Sequence, residues 1–205
     1  MTAAKQTALL RQALFWSAAS LAWALLVGGV SVVDGLIVDS TALVGFGLGS
    51  FADGGASATL IWRFRHELTG HPASAELERR AILVVGSLLG VIAAYLVIRA
   101  IIALAEHTAP EGSALAFGVT LISILVLPVL ARAKLRLAGP VGSRALRADG
   151  VLSAAGAALA LATVIGLVLS TGLGLWWADS AAALVIAVVL GRESSLTLSA
   201  YSRQT

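Results

Sequence analysis

Six apolar stretches, each long enough to cross a lipid bilayer, dominate the sequence, at about residues 12 to 34, 41 to 64, 80 to 104, 114 to 132, 145 to 170 and 175 to 192. A hydrocarbon core about 30 Å thick is spanned by about 20 helical residues. Within it every backbone N–H and C=O must find a partner inside the protein, which leaves helices as the solution for separate apolar segments. The fold class expected is therefore an all-α integral membrane protein with six transmembrane helices, forming a single domain over residues 1–205 with no C-terminal cytoplasmic domain. Composition agrees: 59% of residues are hydrophobic and 12% charged, with a mean hydropathy of +0.95, and so little charge would not cover a soluble surface of this size. Lys5 and Arg11 ahead of the first stretch resemble a signal peptide, but the apolar run continues to about Val33, long enough for a retained helix. The breaks carry turn chemistry, as in "VDGLIVDST", "ELTGHPASAELERR", "HTAPEGS", "LAGPVGS" and "STGLGL".

The chain contains no cysteine, so a bound metal would rely on oxygen or imidazole ligands. Its pI of about 10 comes from cationic residues scattered between apolar spans, without the basic, aromatic-interleaved surface that nucleic acid requires. They act instead as topology signals. Lys5 and Arg11 precede helix 1; Arg63, Arg65, Arg79 and Arg80 flank the loop after helix 2; Arg132, Lys134, Arg136, Arg144 and Arg147 surround the loop after helix 4; Arg192 and Arg203 follow helix 6. Thirteen of the 14 basic residues thus fall on one side, the side the positive-inside rule assigns to the cytoplasm. The expectation is a multi-pass protein of the inner (plasma) membrane with both termini cytoplasmic. Asp34, Asp39, Glu106, Glu111 and Asp179 lie opposite, and Arg99, the exception, is expected to snorkel outward or pair with an outer carboxylate such as Glu106 or Asp179. Trp62, Trp176 and Trp177 fall at the interfaces, and Trp16 and Trp23 within helix 1 read as lipid-facing or core.

Asp53 falls near the middle of the second stretch, roughly 16 Å from either face at about 1.5 Å per residue. An ionised carboxylate at that depth costs on the order of 3 kcal/mol, and such residues face a cavity, a partner or an ion path. Ser50, Ser57 and Gly49 share its side of the helix. One reading is an ion site; the other is packing, with Gly45, Gly49, Gly54 and Gly55 admitting a neighbouring backbone and Asp53 hydrogen-bonding across the contact. Asp149, about one turn above the cytoplasmic end of helix 5, pays a smaller penalty and has a favourable place near a helix N-terminus, with Ser153 one turn on. His66, His71 and His107 are placed in loops, and "HELTGH" lacks the spacing of a helical zinc site. "ADGGASATL" in helix 2 and "ADGVLSAAGA" in helix 5 echo each other across an odd number of helices, as inverted repeats do. No nucleophile–base pair or cofactor fingerprint points to an enzyme.

"STALVGFGLGSFADGGASATLIWRFRHE", "ERRAILVVGSLLGVIAAYLVIRAI", "LISILVLPVLARAKLRLAGPVGSRALRADGVLS" and "WWADSAAALVIAVVL" together resemble the cation diffusion facilitators, in particular their small tail-less bacterial branch. The resemblance implies a facilitator-like transmembrane domain, a homodimer, and export of a divalent cation, zinc above all, in exchange for protons at a midmembrane site between helices 2 and 5. The family's ligand positions fall on Gly49 and Asp53 of helix 2 and on Leu152 and Gly156 of helix 5, so only Asp53 keeps a ligand, and Asp149 matches an aspartate just outside the ion site. The metal set expected is Asp53, Ser50, Ser57 and Asp149, with no tightly bound cofactor. Zinc favours four ligands in tetrahedral array; this set implies a loosely held, partly hydrated cation. The alternative is a non-transporting relative that serves as a membrane scaffold or partner-binding subunit.

Overall fold

A computed structural model describes residues 3–69, 75–111 and 113–202. Those residues form six long helices: α1 (Ala3–Ile37), α2 (Thr41–Leu68), α3 (Ala75–Glu106), α4 (Ala114–Val141), α5 (Arg144–Leu167) and α6 (Ala178–Ser202), with a π-helical turn, Val168–Gly172, continuing α5. Helices α1 and α2, α4 and α5, and α3 and α6 make the most extensive pairings; α2 also meets α3, α5 and α6, and α1 meets α4.

Two of the connections use one device. At the end of α1, Asp39 takes a left-handed φ of 54° and Ser40 N–H donates back to Gly35 O at 2.9 Å. At the end of α4, Gly142 has φ 71° and Ser143 N–H donates to Ala138 O at 3.0 Å. Each bond satisfies a carbonyl that the helix end leaves open. Each serine then caps the next helix, Ser40 Oγ accepting from Leu43 N–H and Ser143 Oγ from Leu146 N–H, both at 3.1 Å. Asp179, in the first turn of α6, accepts from Ser40 Oγ and Ala42 N–H and so sets a carboxylate at the N-terminus of α2.

Among the described residues, five helices are long and apolar enough to cross a membrane: Lys5–Ile37, Gly86–Glu106, Phe117–Val141, Ala145–Gly172 and Ala178–Ser199. They bury only 28–33% of their apolar windows, and Leu125, Val188 and Ile37 stand about 70% exposed at the periphery, as lipid-facing side chains do. Helix α2 is long enough but less apolar, because its composition is diluted by glycine, serine and Asp53. The reason is position: 14 of its 28 residues are buried, so it is solvated mainly by other helices. Around it, Val27, Phe46, Leu96, Leu159, Ile186 and Leu190 form the main apolar core.

Several sequence boundaries shift. Helix α4 runs to Val141 rather than about 132, carrying Arg132, Lys134 and Arg136 inside a helix, with Pro140 tolerated in its last turn. Helix α6 begins at Ala178, after Trp176 and Trp177. His66 belongs to the last turn of α2, its ring against Trp62 at 4.6 Å, rather than to a loop; His71 lies outside the described residues. Arg99 pairs with Asp39, one of the carboxylates at that end of the chain's helices, at 3.0 Å; Asp179 is already occupied by Ser40.

Gly47 makes the α1–α2 approach: a Cβ there would lie 2.9 Å from Val32 N and 3.0 Å from Gly28 O, both backbone atoms that cannot rotate away. Gly29, on the same hairpin, has nothing within 4 Å of its Cβ position. Gly47→Ala is expected to lose about 1–3 kcal/mol and Gly29→Ala none, measured by denaturation of the detergent-solubilised protein.

Candidate functional site

Residues one helical turn apart share a face, and two such pairs meet between α2 and α5: Asp53 with Ser57, and Asp149 with Ser153. The bonding is crossed. Ser153 Oγ donates to Asp53 Oδ1 at 3.0 Å, while Ser57 Oγ donates to Asp149 Oδ1 at 3.0 Å. Ser20, from the middle of α1, donates to Asp53 Oδ2 at 3.3 Å. Because α2 and α5 run antiparallel, each aspartate meets the other helix's serine at its own depth.

The centre of this arrangement is Lys134 of α4, which is 0% exposed. Its Nζ lies 2.7 Å from Asp149 Oδ2, 2.7 Å from Ser20 Oγ, 3.0 Å from Ser57 Oγ and 2.9 Å from Ser153 Oγ. Four oxygens from three helices thus surround an ammonium that has three N–H donors. An ion here would be prohibitively costly without such partners. Asp149 (2% exposed) is directly paired; Asp53 (5% exposed) reaches the ammonium only through Ser20 and Ser153. With all three groups ionised the cluster carries one net negative charge, and Asp53 is its less neutralised member.

The sequence expectations divide here. Asp53, Ser57 and Asp149 are brought together, whereas Ser50 is not: its Oγ donates to Phe46 O on its own helix at 2.9 Å. Asp149 is buried and ion-paired, not near solvent, because α4 continues past it and supplies Lys134. Lys134 itself is a buried ion rather than a topology signal in a loop. The sequence did carry a sign of this: "LVLPVLARAKLRLAG" keeps its apolar spacing beyond residue 132, so the helical pattern outlasts the first arginine.

Beside the cluster lies a cavity of about 20 Å³, room for about one water. Gly49, Asp53, Leu152 and Gly156 all line it, and so does Ser50. Two further residues belong to the wall: Glu193, to which the sequence assigns no role, and Trp23, which it reads as lipid-facing or core. Glu193 of α6 is half-buried and forms no hydrogen bond or ion pair among the described residues. Trp23 of α1 contributes an indole whose buried Nε1 has no hydrogen-bond partner among the described residues. A Cβ at Gly49 would come 3.4 Å from Leu159 and 3.6 Å from Leu190, and one at Gly156 3.4 Å from Leu127, ordinary contacts. Among the described residues no group of three or more histidine, cysteine, aspartate or glutamate side chains is placed to hold a metal ion.

The pairing scheme ranks the two acids. Asp149→Asn strands a buried ammonium and is expected to cost about 3–5 kcal/mol; Asp53→Asn breaks no direct ion pair and is expected to cost clearly less. Unfolding of both variants in detergent checks the order.

No family model matches the chain. It is similar to transmembrane protein 163 of Xenopus laevis, with 27% identity over 181 residues that make up 88% of this chain and 64% of the relative. The chain therefore spans about two thirds of that protein's length. Together with the five apolar helices, the likeness marks a multi-pass membrane protein.

Proposed function

We propose that the protein is a divalent-cation efflux transporter, zinc-like in its cargo and coupled to protons, with six spans, both termini cytoplasmic, a place in the inner (plasma) membrane and a homodimeric assembly. In this reading α2 is the sixth span, shielded from lipid by its neighbours. The observation that carries the proposal is the joining of two buried carboxylates, Asp53 of α2 and Asp149 of α5, in one cluster whose Asp53 borders a water-sized cavity lined also by Gly49, Leu152 and Gly156. A carboxylate in such surroundings holds a cation or a proton, which is the chemistry of exchange. Glu193 in the same wall adds a carboxylate, and the serine hydroxyls and a cavity with room for about one water suit a weakly held, partly hydrated ion that must also leave.

A second reading has an observation of its own. Lys134 already saturates the cluster, as a purely structural ion pair would, and the protein would then be a membrane scaffold or partner-binding subunit. Reconstituted vesicles separate the two. Zinc or cobalt flux is expected in the wild type, faster with a pH gradient of the exchanging sense, and at least tenfold lower in Asp53→Asn. Equal flux in both proteins would refute the transport role of Asp53, and absence of flux and of any metal-induced thermal shift in the wild type would favour the scaffold.

A further inference from the structure

Lys134 is one of only two lysines in the chain, and its surroundings have the form of a cation site. The oxygens of Ser20, Ser57, Ser153 and Asp149 stand 2.7–3.0 Å from Nζ and come from α1, α2 and α5. Helix α4 contributes the ion alone. We infer that Lys134 is a tethered counter-cation: its ammonium takes the cargo's place on the carboxylates when the cargo leaves and must withdraw before the cargo binds. This rests on the transport reading above.

Charge makes the two occupants exclusive. A divalent ion brought to Asp53 and Asp149 would sit within a few ångströms of a fixed ammonium in a medium of low dielectric, where like charges repel strongly. Two features of α4 make withdrawal feasible. Lys134 lies about two turns from the inner end of α4, within reach of the interface for a lysine that snorkels. Pro128 lies inside the same helix, six residues before it, where the missing N–H removes one ladder bond and allows a bend. The close contact of α4 with α5 at Gly150, whose Cβ position is 3.2 Å from Leu135 N, couples any such bend to the helix that carries Asp149.

The test uses the full chain in detergent and in vesicles, with Zn²⁺ and Co²⁺ as probes. Lys134→Met is expected to bind either ion at least tenfold more tightly than the wild type, while net efflux falls, because nothing neutralises the emptied site for its return. Where that variant does not fold, the wild type decides alone: modification of Lys134 by a water-soluble amine reagent, read by mass spectrometry, should rise severalfold when the metal saturates. Exposed Lys5 serves as the internal reference. Metal binding with unchanged Lys134 labelling, or with equal affinity in wild type and Lys134→Met, would overturn the inference and leave the transporter standing. No metal binding by the wild type would overturn the transport reading, and the tethered ion with it.

Discussion

One ammonium group ties together four of the six helices of this bundle. Lys134 Nζ is reached by α1, α2 and α5 and carried by α4, so the relative depth of four helices is fixed at a single atom. The constraint is severe because a buried charge tolerates no missing partner. Directional bonds to four oxygens set rotation and register in a way that apolar contacts between lipid-like surfaces do not. Helices α3 and α6 stand outside this network and pack on each other, with Leu89, Leu96, Ile186 and Leu190 among the buried side chains. The bundle therefore joins a polar hub to an apolar pair, and α2 borders both.

That position explains the composition of α2. A helix surrounded by protein need not be apolar all round, and small residues let its neighbours close in. Gly45 faces Leu96 and Ile186 on one side, while Gly47 meets the backbone of α1 on the other. The matching serine-capped turns before α2 and α5 agree with the sequence echo between those helices, but the aspartates of the echo are not equivalent in depth. Asp53 lies between three and four turns beyond its cap, and Asp149 fewer than two. What pairs them is the antiparallel run of the helices, which sets Asp53 level with Ser153 and Ser57 level with Asp149.

Length and hydropathy made five of the helices readable without coordinates, since the bilayer's thickness is written directly into the run length. The central place of Asp53 was legible for the same reason: depth follows from counting residues. Lys134 departs from the sequence expectation because a lysine between two arginines near a span's end has the pattern of a topology signal. Only the neighbouring helices reveal that Arg132 and Arg136 are turned away while Lys134 faces inward. From the sequence Asp149 pays only a smaller solvation penalty, about one turn inside helix 5, because the continuation of α4 to Val141 is not apparent there. That Glu193 of α6 and Trp23 of α1 share a cavity wall with Asp53 of α2 is a long-range relation that no local spacing encodes.

The arrangement around Asp53 is lopsided. On one side its carboxylate accepts from Ser20 and Ser153, the serines that also hold Lys134; on the other it borders a cavity with room for about one water. A side chain as small as alanine at Gly49 or Gly156 would fit against Leu159 or Leu127 and narrow that space. A cluster whose whole task was to fasten helices would gain from such filling, because an unfilled space forgoes packing contacts. An ion path has the opposite need: its carboxylate must be reachable from a wet side and held from a dry one. In the proposed transporter, the half-open setting of Asp53, with Glu193 in the same cavity wall, would meet that need.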